Sequence, residues 1–425
     1  MKTIIKNATI LDMVGDTPNI KHGDVLIEDG IIQEISSSIS KEDCEVIDAN
    51  GKVLMPGFVN THTHLGMSIF RGYQDDQKLM DWLTKAIFPI EDQLTGEEIY
   101  WNSYLSCLEM IASGTTCCND MYFRMERVID ALNDSGVRGL VSWCFTDDSI
   151  RDKVEKTRKY ASFYNHPDSR IKICVSAHAP YTCNPDTMKL CLDLAKEIDS
   201  PIHVHLAETQ DEIDTIQKTY GKSPTQYLKD LGILDVPVIL AHGIYLSDED
   251  ISLLKNIHGG ISHNPISNCK LSSGICDVAN LHKNNLLVGI GTDGVGSTTT
   301  LDMFEEMRLT AYLQKVNTLN PTTIDAYTIL KMATIDGAKV LGFDSEIGTI
   351  EVGKRADLIL IDMDSLHLFP NNDICANLVY SANGADVDMV MVDGKVLMKD
   401  KKLLDPNLNK VKEEVLKITN KYIKN

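Results

Sequence analysis

His62-Thr63-His64 closes an apolar run, VLMPGFVNTHTHLG, that extends from Val53 to Gly66. Alternate side chains of a strand share a face, so His62 and His64 point one way while Thr61 and Thr63 point the other. Two neutral imidazoles on one face can grip a divalent metal, although one such pair occurs easily by chance. The pattern recurs downstream: His178 in VSAHAP, His205 in IHVHLAE, His242 in LAHG, His263-Asn264-Pro265, and Asp293 in IGTDG. For any one of these, a satisfied core or loop histidine is the ordinary explanation. It does not cover six apolar runs that each end in a group able to do chemistry. A hydrolytic metal site takes about three to five N or O ligands and leaves one position to water. His62, His64, His205 and Asp293 supply three imidazoles and a carboxylate. Glu208 follows His205 in the next loop, where it can reach water or substrate without being a ligand. It is the candidate proton carrier.

These groups meet only if the strands they terminate converge. Strand-like segments run to His64 and over 115–121, 138–143, 171–176, 201–206, 237–241, 260–262 and 286–291. Each is followed by a loop and usually by an amphipathic stretch, such as the helix expected over 97–112 and closed by Gly114. Eight β-α repeats across 56–343 fit an α/β fold of the TIM (β/α)8 barrel type, which takes ~250 residues and carries its active site at the C-terminal ends of the strands. The flanks are different. Residues 3–11, 24–28 and 31–35 near one end, and 356–361, 387–392 and 395–398 near the other, are β-rich. Asp29-Gly30 and Asp393-Gly394 mark hairpin turns. Each flank is too short to bury a core alone, so 1–55 and 344–425 are expected to combine into a small β-sandwich beside the barrel domain of 56–343.

Composition narrows the partners. A formal charge of −20 over 425 residues opposes a nucleic-acid backbone or an anionic membrane surface. The eleven cysteines show no disulfide framework and read as thiols in a reducing compartment. The first residues lack the apolar core of a signal peptide, and no apolar run nears the ~20 residues needed to span a bilayer. A cytoplasmic protein acting on a small molecule is expected.

The segments PGFVNTHTH, HVHLAET, LAHG, SHNPISNCKL and GIGTDG resemble the amidohydrolase superfamily, in its mononuclear branch that deaminates nucleobases and nucleosides. IGTIEVGKRADLILID and VDMVMVDGKV are similar to that family's closing β-sandwich strands. The nearest likeness is to the group acting on S-adenosylhomocysteine, 5'-methylthioadenosine and related adenosines. The resemblance implies one divalent metal, zinc or else iron(II) or manganese(II), held by His62, His64, His205 and Asp293. It further implies Glu208 as proton shuttle, His242 beside the attacking water, Asp293 as base, Glu91 on the ribose hydroxyls, His178 against the substrate and Trp82 at the pocket wall. The expected reaction is hydrolytic deamination of adenine C6 in an adenosine-type nucleoside. A homo-oligomer is expected.

One departure bears on specificity. Family members commonly carry an arginine where this chain reads Val141-Ser142-Trp143-Cys144, while Arg151 matches a second one. A carboxylate clamp that loses an arginine weakens, so small or apolar 5' groups are favoured, with Trp143 filling the space. The P-C-x-x-C of the nucleic-acid deaminases is absent. The alternatives are a deaminase or chlorohydrolase of a free base such as guanine or a triazine, a hydantoinase-like hydrolase that would need a bridging lysine, and a catalytically silent binding barrel.

Overall fold

The computed structural model describes residues 2–147 and 150–423, apart from the side chains of Ile150 and Arg151. The N-terminal flank forms β1 (Lys2–Leu11), β2 (Ile20–Glu28), β3 (Ile31–Ser36), β4 (Glu45–Asp48) and β5 (Lys52–Pro56). The central region supplies β6 (Phe58–Thr63), β7 (Thr115–Tyr122), β8 (Arg138–Phe145), β9 (Ile171–Ile173), β10 (Val175–Ala177), β11 (Ile202–Leu206), β12 (Val238–His242), β13 (Gly259–His263) and β14 (Val288–Ile290). The C-terminal flank adds β15 (Leu358–Asp362), β16 (Val387–Val392), β17 (Lys395–Lys399) and β18 (Lys402–Leu403).

Both flanks enter one nine-stranded sheet, in the order β18-β17-β16-β15-β5-β1-β2-β3 with β4 also on β1. Their joint is β5, parallel to β1 on one side and antiparallel to β15 on the other. The sheet curls back on itself: Ile32 N–H donates to Lys354 O at 2.9 Å, and Ala356 N–H donates to Gly30 O at 2.8 Å. Alternation along the strands turns Val25, Ile27, Leu54, Leu358, Leu360, Met389 and Met391 onto one inner face, where they pack together. The sandwich is therefore one folded-over sheet.

The second sheet is the barrel, parallel throughout, in the order β14-β13-β12-β11-β10-β8-β7-β6 with β9 also on β8. Its fourth position, expected as one strand, is broken at Cys174 into β9 and β10, and only β10 pairs with β11. Inside the N-terminal end, Val59, Cys117, Leu140, Cys174 and Ile239 pack against Val340, Leu341 and Phe343 and plug the barrel with apolar side chains. The seam between first and last strands is closed by Asp293 N–H to His62 O at 2.9 Å and by the Asn60 amide. Asn60 Nδ2 donates to Thr292 Oγ1 at 2.8 Å, and Asn60 Oδ1 accepts from Thr292 N–H at 3.1 Å. Main-chain pairing is thin there, and a buried side-chain amide takes its place.

Arg138, at the start of β8, ties the barrel to the flank sheet. Its Nε donates to Asp357 Oδ2 at 2.8 Å, its Nη2 to Asp393 Oδ1 at 2.5 Å, and its Nη1 lies 3.6 Å from Glu346. The cysteines are unpaired, and all but Cys44 and Cys269 are buried. Among the described residues no helix is long and apolar enough to cross a membrane.

Candidate active site

At the C-terminal end of the barrel, His62, His64 and His205 bring ligand-capable nitrogens within 4.8 Å of one another, and His62, His242 and Asp293 form an overlapping group of the same size. His62 and His64 present Nε2 to Asp293 Oδ1 at 3.4 and 3.2 Å. The other nitrogen of each ring is anchored: His64 Nδ1 donates to Met121 O at 2.6 Å, and His205 Nδ1 donates to His178 O at 2.7 Å. His62 Nδ1 lies 2.9 Å from His203 Nε2. Anchoring Nδ1 frees Nε2 for the centre, the usual way a metal-binding imidazole is oriented.

The arrangement of these donors fits a cation. His62 Nε2 is buried and makes no hydrogen bond although Asp293 Oδ1 faces it at 3.4 Å, an arrangement that a cation shared between them would satisfy. The imidazoles and the carboxylate also shift one another. Burial pushes His62 down to about 4. Burial also opposes the charge on His64, but Asp293 overrides it and lifts that imidazole to about 9. Burial pulls Asp293 upward, yet the facing imidazoles hold it well below the usual carboxylate range. A buried carboxylate ringed by imidazoles calls for positive charge between them. Asp293 is braced for this by Ser267 Oγ at 2.6 Å and Ser297 Oγ at 2.9 Å, both donating to Oδ2.

Glu208 and His242 stand beside the cluster, with Glu208 Oε2 3.8 Å from His242 Nε2. His242 Nδ1 is bonded to Asn268 Oδ1 at 2.8 Å, which turns Nε2 toward the cavity. Burial raises the Glu208 carboxyl, so the group is biased toward holding a proton. The cavity above is floored by His64, His178, His205, Glu208, His242 and Asp293 and walled by Met67, Leu79, Trp82, Leu83 and Leu271. Polar donors on the floor and apolar walls are the makeup of a small-molecule site.

An amidohydrolase family model matches residues 53–397. The chain belongs to the amidohydrolase family. It is 41% identical over 425 residues, 98% of each chain, to 5-methylthioadenosine/S-adenosylhomocysteine deaminase of Thermoanaerobacter pseudethanolicus. It is 44% identical over 416 residues, 97% of this chain and 96% of the other, to 5'-deoxyadenosine deaminase of Methanosarcina acetivorans. The fold superposes with a TM-score of 0.94 on a zinc-bound adenosine deaminase from Xanthomonas campestris, 30% identical, covering 99% of this chain and 98% of that one.

Within this amidohydrolase, the remaining expected residues fall into four groups. His178 and Trp82 line the cavity, Trp82 donating its indole N–H to Tyr73 O at 3.3 Å. Glu91 sits further along the same helical segment as Trp82, is buried, accepts from the Tyr122 hydroxyl and is pushed up to about 7 by burial. It is not among the residues lining this cavity. Trp143 is corrected. The pleat of β8 puts Leu140 in the barrel interior and Trp143 on the outer face, where its indole donates to Glu126 Oε2 at 3.2 Å and its ring meets Tyr160 edge-on at 5.2 Å. It packs under the helices and fills no part of the pocket. The Arg151 side chain lies outside the described residues. Sequence reasoning missed His203, Asn119 behind it at 3.2 Å, Asn268, and the two serines on Asp293. The only signal for His203 was its place two residues before His205, on the same strand face.

Proposed function

We propose that this amidohydrolase hydrolyses the exocyclic amine from adenine C6 of adenosine-type nucleosides, among them 5'-methylthioadenosine, S-adenosylhomocysteine, 5'-deoxyadenosine and adenosine, releasing the inosine-type product and ammonia. The observation that carries this reading is the convergence of Glu208 and His242 on one cavity at the edge of the His62, His64, His205 and Asp293 cluster. Those four residues would hold one divalent metal, with zinc as the first choice and iron(II) or manganese(II) as alternatives. Such a metal, when bound, makes water nucleophilic at neutral pH by lowering its pKa from ~15.7 toward ~7.

The chain's own groups do the rest. Asp293 accepts the proton that the attacking water loses. His242, oriented by Asn268, directs Nε2 at the point of attack. Glu208 delivers a proton to the ring nitrogen next to C6, which makes that carbon electrophilic, and afterwards assists departure of ammonia. His178 and Trp82, which line the cavity, hold the base and sugar, and Glu91, which does not line it, is assigned to the ribose hydroxyls on the family resemblance alone. Leu79, Leu83, Leu271 and Met67 give the cavity apolar walls, which support small or apolar 5' groups. The acidic surface argues against nucleic acid and anionic membrane as partners, and we take the protein to be a cytoplasmic homo-oligomer.

Ammonia release from adenosine, 5'-deoxyadenosine, methylthioadenosine, adenosylhomocysteine and guanine tests the reading. The nucleosides should be turned over, with kcat/KM for 5'-deoxyadenosine or methylthioadenosine at least equal to that for adenosylhomocysteine. Guanine as the best substrate would overturn it in favour of a free-base deaminase.

A further inference from the structure

The chain uses one short pattern, Ser or Thr followed three residues later by an acid, at several helix starts, and it behaves differently at one of them. At Thr95 the pattern is reciprocal: Thr95 Oγ1 accepts the Glu98 N–H, and Glu98 Oε2 accepts the Thr95 N–H at 2.7 Å. Ser247 and Asp250 do the same, with Asp250 Oδ2 accepting the Ser247 N–H at 3.0 Å. This is the capping box, which satisfies the orphan donors of a helix N-terminus. At Thr209 only half of it forms. Thr209 Oγ1 accepts the Glu212 N–H at 3.2 Å, but the Glu212 carboxylate passes over Thr209 and reaches back further. Its Oε1 accepts the Ala207 N–H at 3.0 Å, and its Oε2 accepts the Glu208 N–H at 2.9 Å.

The clamped residues are the turn between β11 and the proposed proton carrier. Ala207 has φ of +52°, a conformation that a residue with a Cβ seldom adopts unless its surroundings impose it. Its carbonyl accepts the N–H groups of Ile244 and Tyr245 at 3.0 and 2.9 Å, so the peptide is held from both sides. Glu208 stands 3.8 Å from His242, beyond hydrogen-bonding range, so besides the nearby Ser273 hydroxyl the aim of its carboxyl rests on the turn that carries it. Glu212 is itself 2% exposed, and burial pushes its carboxyl up to about 8 against the pull of the two backbone N–H groups that it accepts. Burial alone does not distinguish it, since the capping acid Asp250 is 4% exposed, but Asp250 turns its carboxylate to the N–H of its own cap residue, Ser247, and Glu212 does not.

We propose that Glu212 is a positioning residue for deamination: by holding the N–H groups of Ala207 and Glu208 it fixes the turn that aims the Glu208 carboxyl into the cavity. The inference rests on the role given to Glu208 above. Glu212→Gln keeps the shape but offers a donor where two acceptors are needed, and Glu212→Ala removes both. Each is measured in the metal-loaded enzyme, alone and combined with Glu208→Gln, for kcat, KM, metal content and thermal unfolding.

In the Glu208 background, Glu212→Gln should lower kcat by ~10-fold or more, since misplacing a reacting group by about 1 Å costs up to ~10²-fold. KM should stay within about threefold and metal content should not change. In the Glu208→Gln background the same substitution should cost less than about twofold, because the group being aimed no longer carries a proton. An equal loss in both backgrounds, or an unaltered kcat in Glu212→Gln, overturns the inference and makes Glu212 a structural brace. If Glu212→Ala does not fold, the isosteric Gln pair still decides the question. Full turnover in Glu208→Gln by itself would instead remove the proton carrier, a failure of the reading beneath, told apart because no Glu212 variant is involved.

Discussion

At the N-terminal end of the barrel Arg138 is 1% exposed, and its guanidinium is met by Asp357, Asp393 and Glu346. At the C-terminal end His62 is equally buried, yet its Nε2 meets no hydrogen-bond partner, and its neighbours turn further nitrogens toward the same point. One end closes its charges among themselves, and the other aims its lone pairs at a common centre. The backbone repeats the contrast. Ahead of the strands positive φ falls on Gly114 and Gly136 before β7 and β8 and on the polar turn residues Asp199 and Asn285 before β11 and β14, whereas at or beyond the ends of β11, β12 and β14 it falls on Ala207, His242 and Asp293. A left-handed residue with a side chain is tolerated where that side chain, or the one after it, is needed at the site. Burial of polar groups alone does not mark function; the convergence of several ligand-capable atoms on one point does.

The contrast can be broken most severely by taking the metal away. Chelation should abolish turnover, and readdition should restore it at about one divalent ion per chain by elemental analysis. Undiminished activity in metal-free protein, or two tightly held ions, would mean that the two ends do not differ in the way described. Next in size is Arg138→Met, which strands Asp357 and Asp393 in the interface with the flank sheet. Denaturant unfolding should show a loss of ~3–5 kcal/mol, while kcat per folded molecule stays within about twofold. A matching fall in kcat would couple the lower end to the chemistry. Glu208→Gln should retain its metal and lose ~10²-fold in turnover, the scale of general acid-base assistance; near-normal rates would exclude Glu208 from proton transfer. Trp143→Phe is the mildest. Losing the indole bond to Glu126 should cost about 1 kcal/mol of stability, and the kcat/KM ratio of 5'-deoxyadenosine to adenosylhomocysteine should move by less than about twofold. A larger swing would place the outer face of β8 in contact with specificity after all.

What could be read in advance was whatever lies in a short window of chain. The barrel strands stand out because each is an apolar run stopped by a polar group, and His62, His64, His205, Glu208, His242 and Asp293 are those stops. The break at Cys174 and the folding-over of the flank sheet depend on pairing between distant segments, which no local pattern carries. Trp143 was misplaced because side-chain direction along β8 follows the pleat, and a single shift of parity exchanges pocket for helix layer. Nothing in the local sequence gives Asn268 and Ser267 their roles until their partners, His242 and Asp293, are seen beside them. Glu212 is the subtler case. Its sequence spells a helix cap, and only the course of its carboxylate past Thr209 shows that it holds something else.

The seam of the barrel sets an order of events. His62 ends the first barrel strand and Asp293 follows the last, while the junction between those strands rests on the Asp293 to His62 main-chain bond and the Asn60 amide. A chain emerging from the ribosome presents its imidazoles long before that carboxylate exists. The proposed ligand set is complete only after β14 has docked against β6. A metal held by both sides of that junction would be acquired late, and would clasp the place where the barrel's own main chain does least.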